Sequence, residues 1–286
     1  MGRRLGRWVL GSAVVLVVLI AVLWAQLPGI GAGALLHPSR RVANAKPPAH
    51  CVSADLPGDD IALRGWLCGT PLASRGTLVV LHGVADTRHS TAAIVERYLA
   101  RGFDVIAYDS RAHGESAGDR CTYGFFEKRD LRKVIDAFGH GSIVLLGTSL
   151  GAAVALQEAA SDPRVAVVVA AESFSDLRTV AEERAPKFFT RGVITRAFEL
   201  AEREGGFQVD AVSPRQAAAL IHVPVLLIHG AADVETPPDH SRRIYDALKG
   251  PKRLILVPGV GHNHSLQPDV WPEIDAWLDN ALRGRS

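Results

Sequence analysis

The chain has 286 residues, with 32 Lys or Arg and 30 Asp or Glu, so its formal net charge at pH 7 is only +2. It has neither a basic stripe nor interleaved aromatic and basic residues, which argues against binding to nucleic acid. A chain of this length is ordinary for one large domain that buries its core without metals or disulfides. Its 11 histidines lack metal-ligand spacing, and we expect no metal and no cofactor.

The N-terminal segment is apolar and follows a cluster of arginines. The run from Trp8 to Leu27 contains no charged residue. Its length is close to the ~20 residues that cross a bilayer, so residues 1–27 are predicted to be an uncleaved signal anchor. A cleaved signal peptide is the alternative, because the small residues at 32–34 are similar to a cleavage site.

The charges on either side of this segment predict its orientation. The arginines before it favour a cytoplasmic N-terminus, although Arg40, Arg41 and Lys46 flank the other side. The remainder of the chain would then lie outside the cytoplasm, in a single-pass membrane protein or, after cleavage, in a secreted one. Residues 28–50 are rich in Gly, Pro and Ala and are predicted to be a linker.

Two of the three cysteines flank a predicted hairpin. Cys51 and Cys68 lie on either side of the turn-like residues 56–60, between two strand-like segments. If the hairpin is centred in this turn, the two cysteines face each other with Cβ atoms about 4.5–5.5 Å apart, which local twist can close. A Cys51–Cys68 disulfide is the hypothesis, two buried free thiols are the alternative, and Cys121 is left unpaired.

From residue 51 onward, short β-rich runs alternate with helical segments. The predicted strands are Val52–Ala54, Ile61–Leu67, Thr77–Leu81, Val105–Tyr108, Ile143–Leu146, Val165–Ala170, Val225–His229 and Leu254–Val257. The predicted helices cover about 90–101, 125–138, 150–161, 239–249 and 270–282. Since most of the strands are continuous apolar runs, as in strands buried on both faces, residues 51–286 are predicted to form an α/β domain with a doubly wound, mostly parallel sheet.

One interval is too long for an ordinary strand–helix unit. More than fifty residues separate Ala170 from Val225, against ~30 for such a unit. The segment 176–204 is helical in character, with Pro186 as a break and two glycines as a stop. An insertion after the C-terminal end of a sheet strand lies where ligands bind, so residues from about 173 to 222 are predicted to be a small lid.

Residues 147–151, Gly-Thr-Ser-Leu-Gly, fit the G-x-S-x-G nucleophile elbow. They follow the buried strand Ile143–Leu146 and open the helix 152–160, which is the context that the motif requires. The turn is sharp and strained, and the two glycines remove side chains that would collide with the serine. The elbow lifts the Ser149 hydroxyl clear of the sheet at the positive end of a helix, which predicts that Ser149 is a nucleophile.

A serine nucleophile needs a base that is oriented by an acid. Asp233 follows one predicted strand, and His262 lies in a glycine-rich loop after the next. The chain order Ser149, Asp233, His262 is a known order for this type of triad. The alternatives are a turn or capping aspartate at 233 and a surface histidine at 262, with His264 as the rival base and Glu235 as the rival acid.

The oxyanion of an acyl-transfer reaction needs two preorganised N–H donors. The first is expected from the backbone of Leu150, directly after the nucleophile. The second is expected from the loop His82-Gly83-Val84, where Gly83 lets the backbone turn inward and the N–H of Val84 is the candidate. His82 is expected to orient this loop rather than to titrate in catalysis.

Together these motifs resemble the α/β-hydrolase superfamily. Residues 109–116, Asp-Ser-Arg-Ala-His-Gly-Glu-Ser, look like its D-x-R-G-H-G-x-S turn, with Ala112 in place of a usual Gly. Tyr123-Gly124 and the segment 229–237 are similar to the branch with serine aminopeptidase-like and prolyl-oligopeptidase-like hydrolases. The resemblance covers about residues 51–282. It implies the eight-stranded fold and the triad, and we assign residues 109–116 a structural role.

The sequence therefore predicts a serine hydrolase that cleaves an ester, thioester or amide through an acyl-enzyme on Ser149, held to a membrane by its N-terminal helix. The alternative is a catalytically silent binding module of the same fold at the membrane. Substrate and oligomeric state are not predicted. Four lid phenylalanines are candidates either for pocket lining or for lid core: Phe174, Phe188, Phe189 and Phe198.

Overall fold

Eight strands form one sheet in the part of the chain that the computed structural model describes, residues 2–43 and 46–283. The strands are β1 Cys51–Pro57, β2 Ala62–Cys68, β3 Thr77–Leu81, β4 Asp104–Tyr108, β5 Ile143–Thr148, β6 Val165–Ala171, β7 Val225–Gly230 and β8 Lys252–Val257. Their order across the sheet is β1-β2-β4-β3-β5-β6-β7-β8. The pairs β1–β2 and β2–β4 are antiparallel and the other pairs are parallel, which confirms the predicted mostly parallel α/β sheet.

Helices cover both faces of this sheet. The α-helices of the described residues are α1 Gly2–Leu36, α2 Ala92–Leu99, α3 Glu127–Phe138, α4 Leu150–Ala159, α5 Leu177–Arg184, α6 Arg191–Gly205, α7 Pro214–Ala218, α8 Asp239–Ala247 and α9 Trp271–Arg283. Residue 1 of the predicted anchor, residues 44–45 of the predicted linker and residues 284–286 of the predicted domain lie outside the described ranges.

Two apolar clusters fill the spaces between the sheet and its helices. Because side chains alternate along a strand, Val79 and Leu81 of β3 belong to one cluster, and Leu78 and Val80 belong to the other. Helices α3, α4 and α8 pack over the first cluster, and α2 and α9 pack over the second. This burial on both faces explains why the central strands read as continuous apolar runs in the sequence.

The long interval between β6 and β7 contains α5, α6 and α7, and we call residues 172–224 the insertion. Pro186 lies in the break between α5 and α6. Helix α6 ends at Gly205, and Gly206 caps it in the left-handed conformation with φ 68°. The insertion has its own apolar cluster, to which Phe174 and Phe198 contribute.

Helix α1 does not end where the apolar run ends. It continues through Pro28 to Leu36, and Ala32 and Leu36 are buried in the cluster of the insertion. The prediction of a linker over residues 28–50 is therefore wrong for residues 28–36. Small residues make the contact possible, since a Cβ on Gly31 would lie 3.0 Å from the Cβ of Ala197 in α6. This packing outweighs the low helix propensity of Gly and Pro on which the prediction rested.

The residues after α1 are also held against the domain. The ring of His37 bonds to the carbonyl oxygen of Asp119 at 2.7 Å and to the carboxylate of Glu204 at 2.9 Å. The guanidinium of Arg40 donates to the carbonyl oxygens of Ser116 and Gly118 at 2.7 and 2.6 Å. The linker prediction fails here too, because the polar side chains find partners on the domain that the sequence alone does not reveal.

The first two strands pair in the register expected from the hairpin, with Cys51 opposite Cys68. The two side chains form a disulfide, with an S–S distance of 2.00 Å. Cys121 is a free thiol in the buried core.

Replacing Leu36 tests whether the end of α1 belongs to the domain. Leu36→Ala removes a fully buried side chain and should lower the free energy of unfolding by about 2–5 kcal/mol. Leu220→Ala removes a leucine that is 64% exposed and should change the free energy of unfolding by less than about 0.5 kcal/mol. Urea unfolding of the full-length protein in detergent measures both. Equal stability of the two variants would show that residues 28–36 are a free linker.

Counting thiols tests the disulfide. The chain has three cysteines, so denaturation without a reductant should expose one alkylatable thiol, that of Cys121, and reduction should expose three. Intact mass after iodoacetamide treatment gives the count. Three alkylated thiols in the unreduced, denatured protein would mean that Cys51 and Cys68 are not bonded.

Candidate active site

Ser149 lies at a sharp turn between β5 and α4. Its backbone is in a strained conformation for a non-glycine residue, with φ 49° and ψ −111°. A Cβ on Gly147 would lie 2.3 Å from the backbone of Gly151, and a Cβ on Gly151 would lie 2.2 Å from the carbonyl oxygen of Leu81 in β3. The glycines are thus needed for the close crossing of α4 over the two strands. This differs from the prediction that the glycines avoid collisions with Ser149 itself.

The three predicted triad residues meet at the C-terminal edge of the sheet. The hydroxyl of Ser149 lies 3.1 Å from Nε2 of His262, and Nδ1 of His262 lies 2.6 Å from Oδ2 of Asp233. Asp233 follows β7 and His262 follows β8, so each side chain is carried by a different strand end. If Nδ1–H donates to the carboxylate, Nε2 is free to accept the serine proton.

The carboxylate of Asp233 is held by several donors. Its Oδ1 accepts the backbone N–H groups of Glu235 and Thr236, both at 2.9 Å, and its Oδ2 lies 3.2 Å from Nε2 of His229. Burial by itself would raise the pKa of Asp233, but the hydrogen bonds from His229, His262 and Thr236 hold it well below its ordinary value. The carboxylate of Asp233 is therefore held in its ionised form beside His262.

The rival base and acid have other positions. His264 is exposed and donates its backbone N–H to Glu172, and it is the ring of His262 that meets Ser149. Glu235 is exposed and contributes its backbone N–H to Asp233. The geometry therefore brings together the primary candidates rather than these alternatives.

The loop after β3 lies beside the nucleophile. A Cβ on Gly83 would lie 3.5 Å from the Cβ of Ser149, which places Val84, the next residue, at the edge of the site. His82 bonds through Nδ1 to the carbonyl oxygen of Gly83 at 2.7 Å, and its Nε2 accepts the backbone N–H of Ser110 at 3.0 Å. Because burial lowers the pKa of His82, its ring stays neutral and orients the loop.

Glu172 is a residue of the site that the sequence analysis missed. It directly follows β6, is 1% exposed and has a φ of 58°. Its carboxylate accepts the backbone N–H groups of Asn263, His264 and Ser265 at 2.5, 3.1 and 2.9 Å. These three residues come directly after His262, so Glu172 fixes the loop that carries the base. An acidic residue directly after an apolar strand at the ligand-binding edge was the available signal.

His229 is the second residue that the sequence analysis missed. It is fully buried at the end of β7, four residues before Asp233. Its Nδ1 lies 2.7 Å from the hydroxyl of Ser241, and its Nε2 lies 2.7 Å from the carbonyl oxygen of Thr236. His229 therefore braces the turn that presents the acid. A histidine inside an otherwise apolar strand was the signal for it.

Comparisons with known proteins identify the family. The sequence model of the alpha/beta hydrolase family matches residues 78–271, which is more than half of the chain. The chain belongs to the α/β-hydrolase family. The protein YqkD of Bacillus subtilis (strain 168) is 31% identical over 205 residues, which cover 67% of this chain and 66% of YqkD. The chain thus spans about two thirds of the length of this relative.

Solved structures of the family share the fold. The esterase Pf2001 of Pyrococcus furiosus superposes with a TM-score of 0.70 at 23% identity, covering 86% of this chain and 98% of the esterase. An acetyl xylan esterase from Paenibacillus sp. R4 has a TM-score of 0.63 at 17% identity, covering 91% of this chain and 93% of that enzyme. At such identities these likenesses show the α/β-hydrolase fold alone.

Residues 109–116 form a tight structural turn, in accord with their resemblance to the turn of this family. Asp109 accepts the backbone N–H of Arg88 at 2.7 Å and forms a buried ion pair with its guanidinium. Gly114 has φ 47°, and a Cβ there would lie 2.1 Å from a carboxylate oxygen of Asp109. Ala112 takes a left-handed φ of 62°, which suits the glycine usual at this position. Burial lowers the pKa of His113 to about 4 and keeps it neutral.

Three of the four lid phenylalanines have one or both of the expected roles, and the fourth, Phe188, has neither. Phe174 and Phe198 are buried in the cluster of the insertion, Phe188 is 61% exposed, and Phe189 and Phe198 line a cavity beside α1. Within the described residues, no group of three or more His, Cys, Asp or Glu side chains is arranged to hold a metal ion.

Replacing Glu172 tests whether it positions the base. Glu172→Gln leaves one oxygen to accept three N–H groups and directs amide hydrogens toward donors, so the loop of His262 should shift. A misplacement of a catalytic group by about 1 Å costs about 100-fold in rate. We therefore expect Glu172→Gln to slow the labelling of Ser149 by a fluorophosphonate about 100-fold. Glu96→Gln, at an exposed position on α2, is the control. Labelling of a folded Glu172→Gln protein at the rate of the control would contradict this role.

Proposed function

We propose that this protein is a serine hydrolase that cleaves a carboxylic ester, thioester or amide through an acyl-enzyme on Ser149. One observation supports this most directly, the continuous contact from the Ser149 hydroxyl through His262 to Asp233, at 3.1 and 2.6 Å. These side chains come from three separate strand ends, and Ser149 is held in a strained turn. Such an arrangement matches the requirements for an activated serine.

In the proposed mechanism, Nε2 of His262 accepts the proton of the Ser149 hydroxyl as its oxygen attacks the substrate carbonyl. Asp233 stabilises the imidazolium that forms. The oxyanion accepts hydrogen bonds from the backbone N–H groups of Leu150 and Val84. His262 then protonates the leaving group, and a water molecule activated by His262 releases the acid from Ser149. The proposed steps use no cofactor.

Among the possible bonds, a carboxylic ester is the first to test. Two solved structures with this fold are described as esterases, one of them as an acetyl xylan esterase. Both likenesses lie below 25% identity, so they support the choice of a first substrate panel and leave thioesters and amides as further members of it.

We further propose that α1 anchors the protein in a membrane, with the catalytic domain outside the cytoplasm. Helix α1 contains the candidate span Val15–Leu36, with a mean hydropathy of 2.2 and 11% of an 18-residue window buried. Ala32 lies within α1 and is buried, so cleavage near residues 32–34 would cut a packed helix. This supports an uncleaved anchor over a signal peptide. A disulfide between Cys51 and Cys68 fits an oxidising compartment.

Fluorophosphonate labelling tests the nucleophile. The full-length protein in detergent should take up one probe, and Ser149→Ala should abolish the labelling because the attacking oxygen is gone. Ser175→Ala is a matched control, since Ser175 is also buried, and its hydroxyl lies 2.8 Å from Nδ1 of His240. Gel fluorescence and peptide mapping measure the result.

Two results would contradict the proposal. Labelling that persists in Ser149→Ala would move the nucleophile to another residue. A folded wild-type protein that takes up no probe would favour a catalytically silent binding module at the membrane.

A further inference from the structure

A cavity of about 330 Å³ lies between the last turns of α1 and the helices α5 and α6 of the insertion. Helix α1 contributes Ile30, Gly31, Ala34 and Leu35 to its wall. The rest of the lining is apolar side chains, apart from the phenol of Tyr123 and the guanidinium of Arg184. A cavity of this composition favours a hydrocarbon chain over a fully polar ligand, because most of its wall is apolar and cannot replace lost hydrogen bonds to water.

The cavity is continuous with the segment that would cross the bilayer. The apolar side chains of α1 are exposed from Val15 to Trp24, and Ile30 at the cavity is still 56% exposed. If the span ends at Leu27, Ile30 lies about 4.5 Å further along the helix at a rise of about 1.5 Å per residue. The interfacial layer of a bilayer is about 5–8 Å deep on each side, so Ile30 lies within it. With this placement, the α1 wall of the cavity would face the interfacial layer at Ile30, where a lipid chain would enter.

One charged side chain at the cavity indicates how a bound amphiphile would be oriented there. Arg184 lies at the wall formed by α5, and its Nε donates to the carbonyl oxygen of Glu235 at 2.8 Å. Glu235 belongs to the turn whose backbone N–H groups hold the carboxylate of Asp233. The polar end of a bound amphiphile would thus face the turn that presents the acid, while its chain would extend toward α1.

A second contact connects the cavity to the nucleophile helix. Tyr123 lines the cavity and packs edge-to-face on Phe174, with ring centroids 6.2 Å apart. Phe174 shares an apolar cluster with Ala153, which lies in the first turn of α4 after Ser149. The cavity is therefore linked to α4 through the rings of Tyr123 and Phe174, and to the turn of Asp233 through Arg184.

We propose that this cavity binds the hydrocarbon chain of a long-chain acyl ester drawn from the membrane, and that such esters are the substrate class. The substrate assignment rests on the proposed function, whereas binding of the chain does not. In the reaction, the ester bond to the alcohol breaks as the acyl bond to Ser149 Oγ forms, and water then releases the fatty acid.

The chain-length profile of hydrolysis tests the substrate class. Ala34→Leu replaces a small side chain at the cavity wall by a larger one. Gly29→Leu on the same helix is the control, because a Cβ on Gly29 meets nothing within 4 Å. With p-nitrophenyl palmitate, kcat/KM should fall by at least about tenfold in Ala34→Leu and stay unchanged in Gly29→Leu. With p-nitrophenyl acetate, both variants should match the wild type. Ala181→Leu fills the same cavity from α5 and replaces Ala34→Leu if that variant does not fold.

Binding without turnover provides the second measurement. In Ser149→Ala protein reconstituted in nanodiscs, cis-parinaric acid should bind saturably, and Ala34→Leu should weaken its binding. The inference would be overturned if Ala34→Leu changed neither the binding of cis-parinaric acid nor the preference for the palmitate ester over the acetate ester. This holds even if a fluorophosphonate labels Ser149 as proposed. Weakened binding with an unchanged preference would overturn the substrate class. Intact binding in a protein whose Ser149 takes up no fluorophosphonate would overturn the proposed function instead.

Discussion

The close crossing of α4 over β5 and β3 is the constraint on which the site depends. At Gly147 and Gly151 the backbones approach so closely that any side chain would overlap main-chain atoms. This contact drives the chain into the strained turn at Ser149 and places the hydroxyl at the N-terminus of α4. A turn of this kind persists only when the surrounding structure determines it, and the buried parallel strands on either side supply that rigidity.

Asp233 and His262, the proposed acid and base, depend on buried polar residues that do not touch Ser149. Glu172 accepts three successive N–H groups after His262, and His229 braces the turn of Asp233. A loop at a sheet edge has few apolar contacts of its own, so charge-assisted hydrogen bonds are an effective way to fix it. The insertion adds a further brace, because Arg184 of α5 donates to the same turn as His229.

The sequence was sufficient to predict the sheet and the meeting of Ser149, His262 and Asp233, because strands and the elbow follow from local signals. Buried parallel strands read as continuous apolar runs, as in Val165–Ala171, and the elbow at Ser149 needs glycines at fixed spacing. The extension of α1 to Leu36 was missed, because Gly and Pro indicate a linker unless a partner such as α6 is known. The role of Glu172 was missed for the same reason, since its three partners lie some ninety residues away.

The most direct test of the central claim is to trap the acyl-enzyme. The full-length protein is mixed with an excess of p-nitrophenyl ester, quenched in acid during the burst, digested and analysed by mass spectrometry. We predict one acyl group on the peptide that contains Ser149, and none on that peptide in Ser149→Ala. Release of p-nitrophenol by the wild type with no acyl group on Ser149, or with the acyl group on another residue, would contradict it.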